Sequence, residues 1–300
     1  MKVLAVIVTH NREALLARCV EHCLAQLAPP DHLLVVNNAS TDGTEAMLHA
    51  RGVEVLTQAN LGSAGGWHRG ISEALARGFD AVWLMDDDGF PDAAALTALK
   101  RHLGDGVACA SSVVLREDDP ARFVFPFPRL DSCGLPRVLA WPRKLFTLGA
   151  LQRASPEGTY PFAHFFNGAL ISTTAVARVG NVDQQFFIFG DEVDYFFRLR
   201  EVGRVVSVLD ARHYHPDVTA RPYTPAKIYY YVRNTLVLNR RYFDMPWLRN
   251  PLAVVAAVVR TMRRNGLLEG LSYLIGPNAA VLRNAVARGL AGQLGKDFDG

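Results

Sequence analysis

Three consecutive carboxylates, Asp86, Asp87 and Asp88, close the apolar run Ala81–Met85 and are followed at once by Gly89, Phe90 and Pro91. Adjacent acids repel one another and are not buried unpaired, so a cation should meet them. A hard divalent ion such as Mg2+ or Mn2+ takes carboxylate oxygens and keeps positions for phosphate oxygens and water. If the chain stays extended here, side chains alternate sides, so Asp86 and Asp88 share one ion while Asp87 faces elsewhere. Read alone, three acids describe a solvated turn capping a helix over 92–103. The buried strand ahead of them tilts the reading toward a metal.

A second acidic group follows the aromatic run Phe186–Phe189 and Gly190: Asp191, Glu192 and Asp194 open a helix. Acids in a first turn are favoured by the helix dipole, which is the plain explanation. An acid held against aromatic rings also acquires a raised pKa and can serve as a general base. His213 and His215 end the last strand-like segment, and His215 is the better ligand candidate on a chain with a metal. The stretch Gln58–Gly70 carries glycines beside Trp67 and Arg69. Read as a loop, it lets backbone approach a ligand and offers the amides of a helix from Ile71 to an anion. It is neither GxGxxG nor a Walker loop.

The elements that must position these residues follow from periodicity. Continuous apolar runs over 2–8, 32–36, 53–57, 81–85 and 107–115 read as buried strands. Helical spacing covers 13–27, 44–51 and 71–77, with further strands at 164–172 and 205–209 and helices at 173–179 and 191–200. This alternation predicts an α/β fold with a mostly parallel, doubly wound sheet. The polar loops Thr9–Arg12, Asn37–Asp42 and Asp86–Asp88 then gather at one rim, where ligands of open α/β sheets bind. Residues 116–161 read as an irregular insertion with a short hairpin, a length that is usually functional.

Composition fits a globular chain: 50% hydrophobic, 20% charged, 24 glycines, net charge +3. Charge is uneven. Arg221–Leu290 holds eleven Lys and Arg against two acids, Asp244 and Glu269. Such a basic, helical region from 217 to 300 suggests an anionic neighbour. The four cysteines show no CxxC pairing and fit a reducing compartment. The apolar start is too short for a signal peptide, and no run reaches the ~20 apolar residues of a spanning helix.

Four blocks together resemble the inverting family 2 glycosyltransferases: Val8–Arg12; Val36–Thr44; Asp86–Asp88; and Gly190–Asp194 followed by His215. The resemblance covers about residues 2–216. Within the family, Gln58–Gly66 with the triple Asp looks like the bacterial galactofuranosyltransferases, with rhamnosyltransferases as close competitors. The resemblance implies a GT-A fold, Rossmann-like, over 1–216, with a C-terminal helical extension over 217–300. It implies a UDP- or dTDP-linked sugar donor and a glycan or lipid-linked glycan acceptor, with Mn2+ or Mg2+ as cofactor. No nucleic acid partner is expected. The enzyme is expected in the cytoplasm, with peripheral contact to the inner face of the plasma membrane through the basic region, and homo-oligomers are compatible with it.

Carried over by position, Thr9, His10, Arg12, Asn37 and Asn38 line the base and ribose pocket, and Asn60, Gly65, Trp67 and Arg69 approach the diphosphate or sugar. Asp86, Asp88 and His215 hold the metal, with Asp86 and Asp87 near the donor. Phe166 and Asn167 border the acceptor. Glu192 is the base, with Asp191 as the alternative and Asp194 as helper. Two departures from the family pattern stand out. Asn37 replaces the usual Asp, which leaves the nucleotide base open, and the Glu-Asp order is inverted to Asp191-Glu192. A nucleotidyltransferase is disfavoured because Thr9–Arg12 lacks the glycines of a phosphate loop. A sugar-nucleotide-binding protein without turnover is the other alternative.

Overall fold

The computed structural model describes residues 1–104, 106–138, 141–218 and 221–298. Residues 139–140 of the expected insertion, and 219–220 and 299–300 of the expected helical region, lie outside the described residues. The chain divides into two compact units, Met1–Val182 with Tyr195–Asp217, and Asp183–Asp194 with Val218–Gly300.

In the first unit, strands and helices alternate: β1 (Val3–Thr9), α1 (Glu13–Leu24), β2 (His32–Asn38), α2 (Thr44–Ala50), β3 (Glu54–Gln58), α3 (Gly62–Ala76) and β4 (Ala81–Asp86). Then come β5 (Phe90–Pro91), α4 (Ala95–His102), β6 (Val107–Arg116), β7 (Arg122–Pro128), β8 (Lys144–Thr147), α5 (Leu148–Ala154) and β9 (Thr159–Tyr160). The series continues with β10 (Asn167–Ser172), α6 (Thr173–Val179), α7 (Asp191–Arg200), whose first turn belongs to the second unit, and β11 (Arg204–His215).

The sheet runs β3-β2-β1-β4-β10-β6-β11-β5. β1 pairs in parallel with β2 and β4, and β2 with β3. β10 runs antiparallel between β4 and β6. The sheet is therefore mostly parallel, with one reversed strand in its middle. Every residue of β1 is buried, because the strand is covered on both faces. Its side chains divide with period two. Leu4, Val6 and Val8 join Trp67, Ile71, Val176 and Phe196 on one face, and Val3, Ala5 and Ile7 join Leu16, Cys19, Leu96 and Leu99 on the other.

The structure departs from the expected elements at two points and defines two other regions further. The glycine-rich stretch is helix, not loop: α3 begins at Gly62. The 116–161 stretch holds an antiparallel hairpin, β7 with β8, as expected, and Phe123, Phe127, Leu145, Leu151 and Tyr160 build a satellite core with Val113 and Leu209. The last strand runs on through His215 rather than stopping at 209, since it keeps pairing with β6 beyond a bulge. And Asp183–Asp194, counted with the catalytic part of the chain, groups with the helical unit, where Phe187, Ile188 and Phe189 pack against its apolar cluster.

The second unit adds α8 (Pro225–Tyr242), α9 (Pro246–Asn265), α10 (Leu267–Ser272) and α11 (Ala279–Leu290). Its core gathers Ile228, Tyr229, Tyr230, Val232 and Leu236 with Ala257, Tyr273, Leu282 and Ala285. Gly289 lets α11 approach α8 closely, since a Cβ there would sit 2.8 Å from the Arg233 carbonyl oxygen. Among the described residues, no helix is long and apolar enough to cross a membrane.

Candidate active site

Parallel pairing carries the ends of β1, β2 and β4 to one rim of the first unit, with Thr9 opposite Asn37 and Val8 opposite Asp86. Two loops clamp each other there. Asn11 adopts φ 53°, a left-handed conformation that Asn tolerates. Its side-chain oxygen accepts from the Thr41 amide at 2.7 Å, and its own amide donates to Ser40 Oγ at 2.9 Å. His10 Nδ1 lies 2.8 Å from the Asn38 carbonyl oxygen and donates to it.

The acids lie beside this clamp. β4 ends at Asp86 and the chain turns at once, so the extended backbone behind the expected alternation of Asp86 and Asp88 does not continue past Asp86. Asp87 and Asp88 instead share Arg12, whose guanidinium donates to Asp87 Oδ1 at 2.9 Å and to Asp88 Oδ2 at 2.8 Å. Thr9 Oγ1 donates to Asp87 Oδ2 at 2.7 Å. Both carboxylates are almost fully buried. Burial pushes the Asp87 carboxyl up, and the Arg12 charge and the Thr9 hydrogen bond oppose it. For Arg12 burial pulls the pKa down, and the carboxylates of Asp87 and Asp88 more than offset it.

His215, two residues past His213 on β11, completes the network. Its Nε2 lies 2.9 Å from Asp88 Oδ1, and its Nδ1 lies 2.7 Å from the Pro216 carbonyl oxygen. A carbonyl oxygen only accepts, so Nδ1 carries a proton. Nε2 then turns toward a carboxylate and needs a cation, proton or metal, between them. Carboxylate oxygen and imidazole nitrogen suit a divalent transition ion, and a ligating His fixed through its other nitrogen is the usual outer-shell arrangement. Asp88 and His215 thus fit a metal. Among the described residues no group of three His, Cys, Asp or Glu side chains is gathered as a metal set, and Arg12 already places a cation beside Asp87 and Asp88.

The glycine-rich segment does different work from that expected. A Cβ on Gly66 would collide with Val8, one on Gly70 with Val6, and one on Gly65 with Leu61. At positions 66 and 70 the glycines let α3 lie close on β1. Trp67 is fully buried, and its ring stacks on Phe166 with centroids 4.5 Å apart. Core packing is what the structure shows these two side chains doing. Asn60 Oδ1 accepts from the Gly62 amide at 3.0 Å, at the start of α3. Arg69 is exposed and paired with Glu73 at 3.0 Å.

Asn38 ties three elements, donating to the Gly62 carbonyl and accepting from Gln58. Asn37 Oδ1 accepts from the Ser40 amide at 2.9 Å. Asn167 is buried, and its Oδ1 has no hydrogen-bond partner among the described residues. Of the expected donor and metal residues, the structure brings Thr9, Arg12, Asp87, Asp88 and His215 into one network and His10 and Asn38 into its flank.

In the second unit the acidic segment has its own geometry. Glu192 Oε2 accepts from the Gly190 amide at 2.8 Å. Asp194 accepts from the Tyr242 hydroxyl at 2.7 Å and from Arg241 at 3.3 Å. Asp191 and Asp194 are buried, and Glu192 is half-buried. Sequence reading missed Asn234, which sits mid-helix on the apolar spacing Tyr230–Leu238, and also missed Arg241 and Tyr242. An Asn on the buried stripe of a helix was the available signal.

A mostly parallel α/β sheet thus carries polar loops and a buried carboxylate–imidazole pair at one rim, the edge where ligands of open α/β sheets bind. Residues 4–166 match the family described as glycosyl transferase family 2. The galactofuranosyltransferase GlfT1 of Mycobacterium tuberculosis (strain H37Rv) is 37% identical over 222 residues, covering 71% of this chain and 70% of the relative. GlfT1 of Mycolicibacterium smegmatis is also 37% identical, over 221 residues and the same shares. The chain belongs to glycosyl transferase family 2 and is a transferase.

Solved structures agree on the fold. The mannosyltransferase PcManGT of Pyrobaculum calidifontis, in complex with GDP-Man and Mn2+, superposes with TM-score 0.55 at 17% identity, covering 95% of this chain and 79% of that one. S. aureus TarS 1–349, in complex with UDP-GlcNAc, superposes with TM-score 0.55 at 12% identity, covering 98% and 82%. The fold is the GT-A α/β arrangement.

Proposed function

We propose that this chain transfers a galactofuranosyl unit from a UDP-linked donor to a hydroxyl of a glycan or lipid-linked glycan, with inversion, in assembly of a bacterial surface polysaccharide. The 37% identity to mycobacterial galactofuranosyltransferases supports the donor sugar. The network of Thr9, Arg12, Asp87, Asp88 and His215 is the observation that carries the nucleotide side.

An acceptor hydroxyl is a weak nucleophile. A carboxylate takes its proton, the oxygen bonds to the anomeric carbon, and the bond from that carbon to the diphosphate oxygen breaks, its electron pair leaving with the diphosphate. Attack from the face opposite the diphosphate inverts the centre. Glu192 is the first candidate for the base, Asp191 the alternative and Asp194 the helper. Glu192 already spends one oxygen on the Gly190 amide, so single Glu192→Gln and Asp191→Asn variants decide between them. Asp88 and His215 would hold Mn2+ or Mg2+, which when bound supplies positive charge to the leaving diphosphate. Arg12 holds Asp87 and Asp88 in register beside that pair.

The basic second unit favours peripheral contact with an anionic inner leaflet. Absence of sedimentation with anionic vesicles would remove that part. The central experiment measures donor binding and slow hydrolysis across UDP-galactofuranose, UDP-galactopyranose, UDP-glucose and dTDP-rhamnose with Mn2+. UDP-galactofuranose turnover that disappears in Asp88→Ala supports the reading. Turnover of dTDP-rhamnose instead would make the chain a rhamnosyltransferase, the reading that Asn37 in place of an acid keeps open. Binding without turnover across acceptors would leave a sugar-nucleotide-binding protein.

A further inference from the structure

The segment Phe186–Gly190 leads directly into the acids of α7, and its backbone is unusual. Phe187 and Phe189 have φ of 64° and 62°, and Gly190 has 88°. Bulky side chains rarely adopt the left-handed region and hold it only where their surroundings enforce it. One side chain of the second unit does much of that enforcing. Asn234, fully buried in α8, points its amide nitrogen at three carbonyl oxygens of the segment: Phe186 at 3.0 Å, Ile188 at 3.0 Å and Phe189 at 2.7 Å.

Further along the same helix, Leu238 closes over Gly190, where a Cβ would meet Leu238 Cδ1 at 2.9 Å. Another turn on, Arg241 and Tyr242 hold Asp194. Residues 234, 238 and 241–242 recur at helical spacing, so one face of α8 grips the acidic segment along its length.

Asn234 is itself fixed. Its Oδ1 accepts from Arg233 Nε at 2.9 Å. Arg233 is completely buried, and its guanidinium donates to the Gly295 carbonyl and to Asp297 Oδ1, both at 2.6 Å. The C-terminal stretch is laid along α8 by further contacts. The Tyr230 hydroxyl accepts from the amides of Asp297 and Phe298 at 3.2 Å. Tyr229 stacks on Phe298 with centroids 4.7 Å apart. The Gly295 amide donates to the Gln185 carbonyl at 2.8 Å, reaching the start of the acidic segment itself.

We infer that Asn234 is a positioning residue for the catalytic carboxylate, and that Asp297 locks it through Arg233. Asn234 touches neither nucleotide nor reacting atoms in this role. It sets the backbone from which Asp191 and Glu192 project, and a displacement of about 1 Å in a catalytic group costs about 100-fold in rate. The inference rests on the reading that one of these two acids is the base.

The test uses the full chain and measures turnover, donor affinity by calorimetry and thermal unfolding for each variant. Asn234→Asp removes the donors and turns an anion toward three carbonyls. Asp297→Ala leaves Asn234 itself in place, reaches it only through Arg233, and serves should Asn234→Asp not fold. We expect kcat to fall about 100-fold in Asn234→Asp and less steeply in Asp297→Ala, with donor Kd unchanged in both. Asn234→Gln, which keeps the amide on a longer arm, should recover part of the kcat.

Unchanged kcat in folded variants overturns the inference, as does a parallel loss of kcat and donor affinity. Glu192→Gln and Asp191→Asn run alongside separate the two readings. If both of those retain full turnover, the base assignment is wrong and the positioning role falls with it. If either abolishes turnover while the Asn234 and Asp297 variants are normal, only the positioning role fails.

Discussion

His215 Nε2 and Asp88 Oδ1 lie 2.9 Å apart with both side chains buried, and the other imidazole nitrogen is committed to the Pro216 carbonyl. With a proton on Nδ1, Nε2 meets the carboxylate through either a second proton or a divalent ion. Replacing either ligand should therefore change the metal response and not only the rate. Asp88→Asn and His215→Gln are each expected to lower turnover by about 100-fold and to raise the Mn2+ concentration giving half-maximal activity. Activity titrated with Mn2+ after chelator treatment checks this. An unaltered midpoint would show that the pair serves the fold rather than a metal.

Arg12 is the cation that Asp87 and Asp88, just past β4, already have. Its guanidinium is partly exposed, while the carboxylates of Asp87 and Asp88 are nearly inaccessible. Truncation to Ala leaves two buried acids with less compensation, a loss of about 1–3 kcal/mol after discounting for the exposed side. Adding Asp87→Asn to Arg12→Ala should recover part of the loss, because it removes one of the uncompensated charges. Urea unfolding of the single and double variants reads this directly. Equal destabilisation of the two would mean that Arg12 acts through packing.

The glycines of α3 give a prediction whose sign is opposite to the usual one. In a solvent-facing helix, Gly→Ala stabilises by up to about 1 kcal/mol. At Gly66 and Gly70 the added methyl runs into Val8 and Val6 of β1. Overpacking of this kind costs about 1–3 kcal/mol, so both Ala variants should be destabilised. Gly78 provides the contrast in the same region: nothing lies within reach of a Cβ there, but φ is +68°. Thermal unfolding of the Gly66 and Gly70 variants, compared with wild type, decides. Stabilisation at either site would mean that α3 does not sit this close to the strand.

The same glycines explain which parts of the chain were legible. Strands such as Val3–Thr9 announce themselves because burial on both faces demands unbroken apolar residues, and Thr9, Arg12, Asp87, Asp88 and His215 fall at strand ends that topology alone brings together. Local sequence does not say what a glycine is near. Gly66 and Gly70 suit a ligand loop and a close helix–sheet contact equally, and only the position of β1 distinguishes them. The alternation argument for Asp86 and Asp88 assumed a strand two residues longer than the one formed, and Arg12, 75 residues away from Asp87 in the chain, was not paired with the acids by any local rule. Asn234 was invisible for the same reason, since its partners lie more than 40 residues upstream.

His164 supplies a pH dependence that can be checked without substrate. It is half-buried, packed against the rings of Phe125, Phe127 and Phe162. Burial, with a smaller contribution from the Lys144 charge, pushes its pKa down to about 3. In the unfolded chain it titrates near 6.5. Between those two values the unfolded state binds a proton that the folded state refuses, so stability rises with pH across the window and is lost as pH falls through it. The contribution approaches about 1.4 kcal/mol per pH unit for one such group. Replacing His164 with Gln removes the titration while keeping a polar side chain of similar length. Urea midpoints measured from neutral pH down to about 4 should fall more steeply for the wild type than for the variant. Parallel slopes would mean that the imidazole gains solvent or a partner before it protonates, and that the aromatic packing is looser than the ring contacts imply.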